Sequence, residues 1–129
     1  MALQFTVRLK NEPGALASLA EALGERGIDI RNIGAGGVGT HGVVVLITND
    51  DGAARDVLRQ ARYTFSEAEA LTVAVADEPG SLARVTRRLA DAGVNIAGVL
   101  VLRRHQGKAE LSFTVDDPTK ARRVLATAS

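Results

Sequence analysis

Hydrophobic and polar residues alternate from the start of the chain. Leu3, Phe5, Val7 and Leu9 interleave with Gln4, Thr6, Arg8 and Lys10, a period of two that predicts a strand with one buried face. The period then changes. "NEPG" at 11–14 stops the strand and opens a helix. In it Leu16, Leu19, Ala20 and Leu23 fall at i, i+3, i+4 and i+7 and form one apolar face. Gly27 stands where a glycine just past a helix end belongs. "IDIRNI" reads as a second strand, "GAGGVGTHG" as a glycine-rich hairpin loop and "VVVLIT" as a third strand. "NDDG" caps a second helix whose inner face is Ala54, Val57, Leu58 and Ala61. "RYTF" reads as a short fourth strand.

The same order then recurs. "LTVAV" is a strand, Leu82, Val85, Thr86 and Leu89 mark a helix, "VNIAGVLVL" and "AELSFTV" are strands, and "PTKARRVLATA" is a last helix. Residues 11–34 align with 77–100 without gaps, and eight of the 24 pairs are identical. The identities fall on punctuation (Glu12/Glu78, Pro13/Pro79, Gly14/Gly80, Gly27/Gly93) and on apolar positions such as Leu23/Leu89 and Ile30/Ile96. That distribution marks a duplicated supersecondary unit. The predicted class is α+β. Two tandem ferredoxin-like βαββαβ units, 1–67 and 68–129, each carry two helices on one face of an antiparallel sheet, and the second lacks its last strand.

Composition narrows the function. Sixteen basic and 15 acidic residues leave a net charge of +1, which provides no electrostatic case for nucleic acid or an anionic membrane. The absence of Cys removes disulfides, thiolate metal sites and Cys nucleophiles, and two His are too few for a His-based metal cluster. "VVVLI" and "VLVL" are too short to span a membrane, and the alternating N-terminus does not read as a signal peptide. The expectation is a cytoplasmic protein with no cofactor. No nucleophile is assembled with a base, so the chain does not read as an enzyme. Phe5, Phe65, Phe113 and Tyr63 are its only aromatics, and Phe5 and Phe113 alternate inward, which leaves no stacking platform for RNA.

"EPG-x-L" closing a strand, followed by a Gly, a hydrophobic residue, Asp or Asn and Ile, resembles the ACT domain family. The second copy, "DEPGSLARVTRRLADAGVNI", is especially typical, and the resemblance covers nearly the whole chain. It implies a regulatory module that binds an amino acid or a related small metabolite, pairs into a homodimer or larger assembly, and passes its state to a regulated partner protein. It also implies ligand sites between the loop after the first strand of one unit and the start of the second strand of another. Carried onto this chain, the main site comprises Asn11, Glu12, Pro13, Gly14, Ala15 and Leu16 with Asn95 and Ile96. A second possible site comprises Asp77, Glu78, Gly80 and Ser81 with Asp29 and Ile30.

The residue types suit that role. A helix N-terminus offers N–H donors to a carboxylate. Gly14 and Gly80 admit close approach to the backbone, and Pro13 and Pro79 pre-set the loop. Asn11 with Asn95 makes a neutral site suited to a zwitterion, whereas Asp77 with Asp29 gathers two carboxylates that repel unless a cation or a proton sits between them. The simpler reading is that Asn11 and Asp77 cap helices, with Pro in the first turn. His41 and His105 fall near hairpins and read as solvated. "GAGGVG" does not follow a strand and open a helix, so it is no phosphate loop.

The sheet faces add one expectation. With Leu100 and Leu102 read as inward, Val99 and Val101 make the other face of that strand apolar too. Val44 and Leu46 likewise lie opposite Val43, Val45 and Ile47. Apolar residues on both faces, and a free backbone edge near 71–76, point to a covering sheet or chain. The alternative function is a ligand-free structural or oligomerisation module that regulates a partner.

Overall fold

A computed structural model describes residues 3–126. The chain divides into two compact units, Met1–Ala68 and Glu69–Ser129. In the first, β1 (Leu3–Lys10), α1 (Ala15–Glu25), β2 (Ile30–Val38), β3 (His41–Thr48), α2 (Asp51–Gln60) and β4 (Phe65–Glu69) follow the predicted order. The second contains β5 (Leu71–Ala76), α3 (Ser81–Asp91), β6 (Ile96–His105), β7 (Lys108–Val115) and α4 (Pro118–Ala126). The sheets run β2-β3-β1-β4 and β5-β7-β6. Among the described residues the second unit therefore has three strands, and no strand pairs with β5 in the place that β4 takes beside β1.

Each core lies between sheet and helices. In the first unit Phe5, Val7, Leu19, Leu23, Val44, Leu46, Ala54 and Leu58 are buried together, and in the second Leu89, Val94, Phe113 and Ala121 are the most enclosed. Antiparallel register puts Phe5 beside Leu46 and Val7 beside Val44, so the alternation of two strands merges into one apolar surface. Asp50 caps α2 as predicted, accepting the Ala53 N–H at 3.0 Å. Arg55 on α2 reaches Glu67 on β4 at 2.8 Å, joining the helix to the edge strand.

Several local expectations are corrected. The glycine-rich run is not a loop: β2 continues through Val38, pairing Gly34 with Val45, Gly36 with Val43 and Gly37 with Gly42. A well-anchored β3 supplies backbone partners whatever the side chains, and only Gly39 and Thr40 turn the chain. The fourth strand begins at Phe65, because Tyr63 and Thr64 belong to the exit from α2. Leu16, Ala20 and Ala61 are exposed, as is Leu82, while Thr86 is only half-buried. The inner faces are narrower than periodicity indicated, since each short helix meets the sheet along one line. Val99 pairs with Phe113 and Val101 with Leu111 on the helix side, which puts Leu100, beside Ser112, on the helix-free face. Alternation cannot orient a strand that is apolar on both faces.

Candidate functional site

The β1–α1 loop is built on a left-handed glycine. Gly14 has φ 87° and serves as N-cap of α1 without any side-chain cap; Gly80 does the same for α3 at φ 88°. A side chain at this φ collides with its own backbone, so "EPG" needs its glycine for conformation. Asn11 and Asp77 are thus not helix caps, and Pro13 and Pro79 precede the N-cap instead of occupying the first turn. The first N–H of each helix, at Ala15 and Ser81, donates to the Glu12 and Glu78 carbonyls at 3.3 Å, and no side chain caps the N–H groups that follow.

Asn11 does something else. Its N–H donates to the Thr40 carbonyl at 3.1 Å and its Nδ2 donates to the Gly39 carbonyl at 2.9 Å. These bonds tie the loop to the β2–β3 turn. The amide lies directly over Gly37, where an added Cβ would stand 2.6 Å from the Asn11 side chain. Gly37 is therefore vacant of side chain for a packing reason. With Nδ2 committed to Gly39, Oδ1 of Asn11 remains as an acceptor.

Around this contact lies a small open groove of about 220 Å³. Asn11, Glu12, Ala15 and Leu16 line one side and Ala35, Gly36, Gly37 and Val43 the other. Four of the predicted residues thus meet in one place, at the start of α1. Pro13 and Gly14 shape the loop without lining the groove. Alternation and spacing missed Gly36 and Gly37; the signal was the glycine run, mistaken for a turn.

The second unit treats the same loop differently. Arg84 reaches Glu78 at 3.2 Å and Ser81 Oγ at 3.0 Å, and its guanidinium passes 3.1 Å from the place a Gly80 Cβ would take. Arg104 lies 3.3 Å from Asp77. The first unit has Ser18 at the position matching Arg84. The loop at Asp77, Glu78, Gly80 and Ser81 is accordingly occupied by its own cations. Asp29 is likewise paired, with Arg31 at 2.9 Å.

Asn95 and Ile96 lie at the entrance to β6. Asn95 donates its N–H to Asp116 Oδ1 at 2.9 Å, and its carbonyl accepts the Asp116 N–H at 3.1 Å. Asp29 makes the same pair of bonds with Asn49, at 2.9 and 3.1 Å, ahead of Ile30. The two units therefore repeat this junction down to its hydrogen bonds. His41 and His105 are exposed. Among the described residues no group of three or more His, Cys, Asp or Glu is placed to hold a metal ion, and no helix is long and apolar enough to cross a membrane.

Comparison with known proteins agrees with this architecture. The fold is similar to that of a protein from Bacteroides thetaiotaomicron, with a TM-score of 0.76 at 21% identity over 98% of this chain and 88% of the other. It is also similar to the ligand-free regulatory subunit of aspartate kinase from Thermus thermophilus, with a TM-score of 0.66 at 19% identity over 98% of this chain and 92% of that one. The corresponding subunit from Thermus flavus gives 0.68 at 19% identity, over 98% and 92%. No curated protein matches the sequence. The ACT domain family matches residues 4–64 and again 70–127. With nearly every described residue inside one match or the other, the chain belongs to the ACT domain family, as two tandem copies.

Proposed function

We propose that this chain is a regulatory module that senses a free amino acid, with the ligand seated at the β1–α1 loop of the first unit. Membership of the ACT family supports the broader role, a regulatory one based on binding a small molecule. The observation that carries the finer reading is the difference between the two loops. The first presents an open groove beside a helix N-terminus with no side-chain cap, and in the second the loop at the helix start is held by Arg84, bonded to Glu78 and Ser81.

The chemistry fits a zwitterion. First-turn N–H groups and the positive end of α1 suit a carboxylate. Glu12 and Oδ1 of Asn11 suit an ammonium. Asn95 and Ile96 are proposed as further ligand contacts on the strength of the family resemblance, and the loop at Asp77 with Asp29 and Ile30 as a weaker second site. A ligand that stabilises one arrangement of its surroundings is sufficient to switch a partner protein.

Thermal unfolding of the purified chain against each of the twenty amino acids tests the reading. A ligand at a hundred times its Kd adds roughly 2.7 kcal/mol, on the order of ten degrees for units of this size. Asn11→Ala and Asn95→Ala are expected to abolish the shift while Asp29→Ala preserves it. The site assignment fails if Asp29→Ala alone removes it, and the amino-acid reading fails if no amino acid shifts the transition. The reading as a structural module has its own observation. Leu16 and Leu82, matched positions of the repeat, are 44% and 50% exposed, as leucines awaiting a partner surface would be.

A further inference from the structure

A second groove, of about 750 Å³, opens at the same end of the first unit. The end of β1, the β2–β3 turn, the early part of α1 and the segment leaving α2 converge on it. Its wall carries three full positive charges, Arg8, Lys10 and Arg62, against one carboxylate, Glu12. Among the described residues none of the three cations is in an ion pair. By contrast, Arg31, Arg55, Arg84 and Arg104 each hold a carboxylate. Thr40 and His41 complete the rim, with Thr40 Oγ1 3.0 Å from His41 Nδ1.

Arg62 is in an unusual conformation for a residue with a side chain. Its φ is 63°, in the left-handed region. It follows α2 as Gly27 (φ 70°) follows α1 and Gly93 (φ 78°) follows α3. The turn is otherwise ordinary: the Arg62 N–H donates to the Arg59 carbonyl at 3.1 Å and the Tyr63 N–H to the Leu58 carbonyl at 3.0 Å. Two helices end on the glycine that this turn favours, and the third holds an arginine there against backbone preference. Its cation is thereby placed at the groove wall.

We infer that this groove binds a small organic anion whose head carries at least two negative charges, a phosphate ester or a dicarboxylate. Arg8 and Lys10 from the end of β1 and Arg62 from the exit of α2 can flank such a head from two sides, and charge-assisted hydrogen bonds from guanidinium groups suit its oxygens. The N-terminal end of α1 adds a field of the same sign. The volume is that of a site for a whole metabolite, larger than the head alone needs. This groove adjoins the smaller one assigned to the amino acid: Leu9, Lys10, Asn11, Glu12 and Ala15 border both, whereas Arg8 and Arg62 line only the larger. A ligand in either would act on the same loop.

Calorimetric titration of the full chain with inorganic pyrophosphate and, separately, with succinate, at about 0.15 M salt to screen nonspecific attraction, tests the inference. Saturable one-to-one binding of either probe is expected, and the tighter of the two identifies the head. Arg62→Gly is the informative variant. Glycine suits the left-handed turn, so the thermal midpoint should hold or rise while probe affinity falls about tenfold, the loss of one charged hydrogen-bonding partner. Lys10→Gln is expected to weaken binding similarly. The inference is overturned if neither probe saturates, or if Arg62→Gly and Lys10→Gln both bind as tightly as the unchanged chain. The amino-acid response of Arg62→Gly is expected to be intact, so loss of one activity leaves the other separately measurable.

Discussion

Asn11 and Gly37 are one device written at two distant places in the sequence. The side chain of Asn11 fills the space that any Cβ at position 37 would enter, and from there it bonds the Gly39 carbonyl at 2.9 Å. Gly37→Ala is therefore expected to displace Asn11 and cut that bond, lowering ligand affinity about as much as Asn11→Ala does. The double variant should be no worse than either single one, because both remove the same contact. Affinities of the three variants for the amino acid found by thermal screening check this, and simple additivity would show that the two residues act independently. Asn11 was legible in the sequence as a candidate, through its place before "EPG". Gly37 was not, because its role exists only once β2 lies beside the loop.

The helices show how far an apolar period can be trusted. Leu16, Leu19, Ala20 and Leu23 share a face by spacing, yet only Leu19 and Leu23 are buried. In α3, likewise, Val85 and Leu89 are buried and Leu82 is not. A helix crossing a twisted sheet touches it along a line, and residues at the edge of the stripe stay outside. Leu19→Ala is expected to cost about 2–5 kcal/mol and Leu16→Ala under about 1 kcal/mol, measured by urea denaturation. Equal costs would mean that α1 packs on a different face. The strands tell the same story. Period two placed the apolar face of β1 correctly because its two faces differ in polarity, although Gln4 on the polar face is buried too. It misplaced Leu100 because β6 is apolar on both. The glycine run was read as a turn for want of side chains, whereas β2 is held by backbone bonds to β3.

At the scale of the whole molecule, the duplication explains the most. Two copies of one unit give two loops, two left-handed glycines and two matched strand-entry junctions, Asp29 with Asn49 and Asn95 with Asp116. The copies have diverged beside the loop proposed for binding, Ser18 against Arg84. They have stayed alike at an exposed leucine, Leu16 and Leu82. We expect that shared exposure to mark an assembly surface and the chain to form a homodimer or larger oligomer. Light scattering should give a mass at least twice 13.5 kDa, and Leu16→Asp should reduce it. A mass of 13.5 kDa for the unchanged chain would refute this. The repeat, the βαββα order, the open edge of the second unit and the ACT resemblance were all readable from sequence, since they rest on local period and punctuation. Which residues close a groove was not readable. That depends on contacts between segments 26 positions apart or more, such as Asn11 over Gly37, and on where a long side chain such as Arg84 comes to rest. Local spacing determined the elements; burial and packing between segments distant in sequence alone decided which loop stays open.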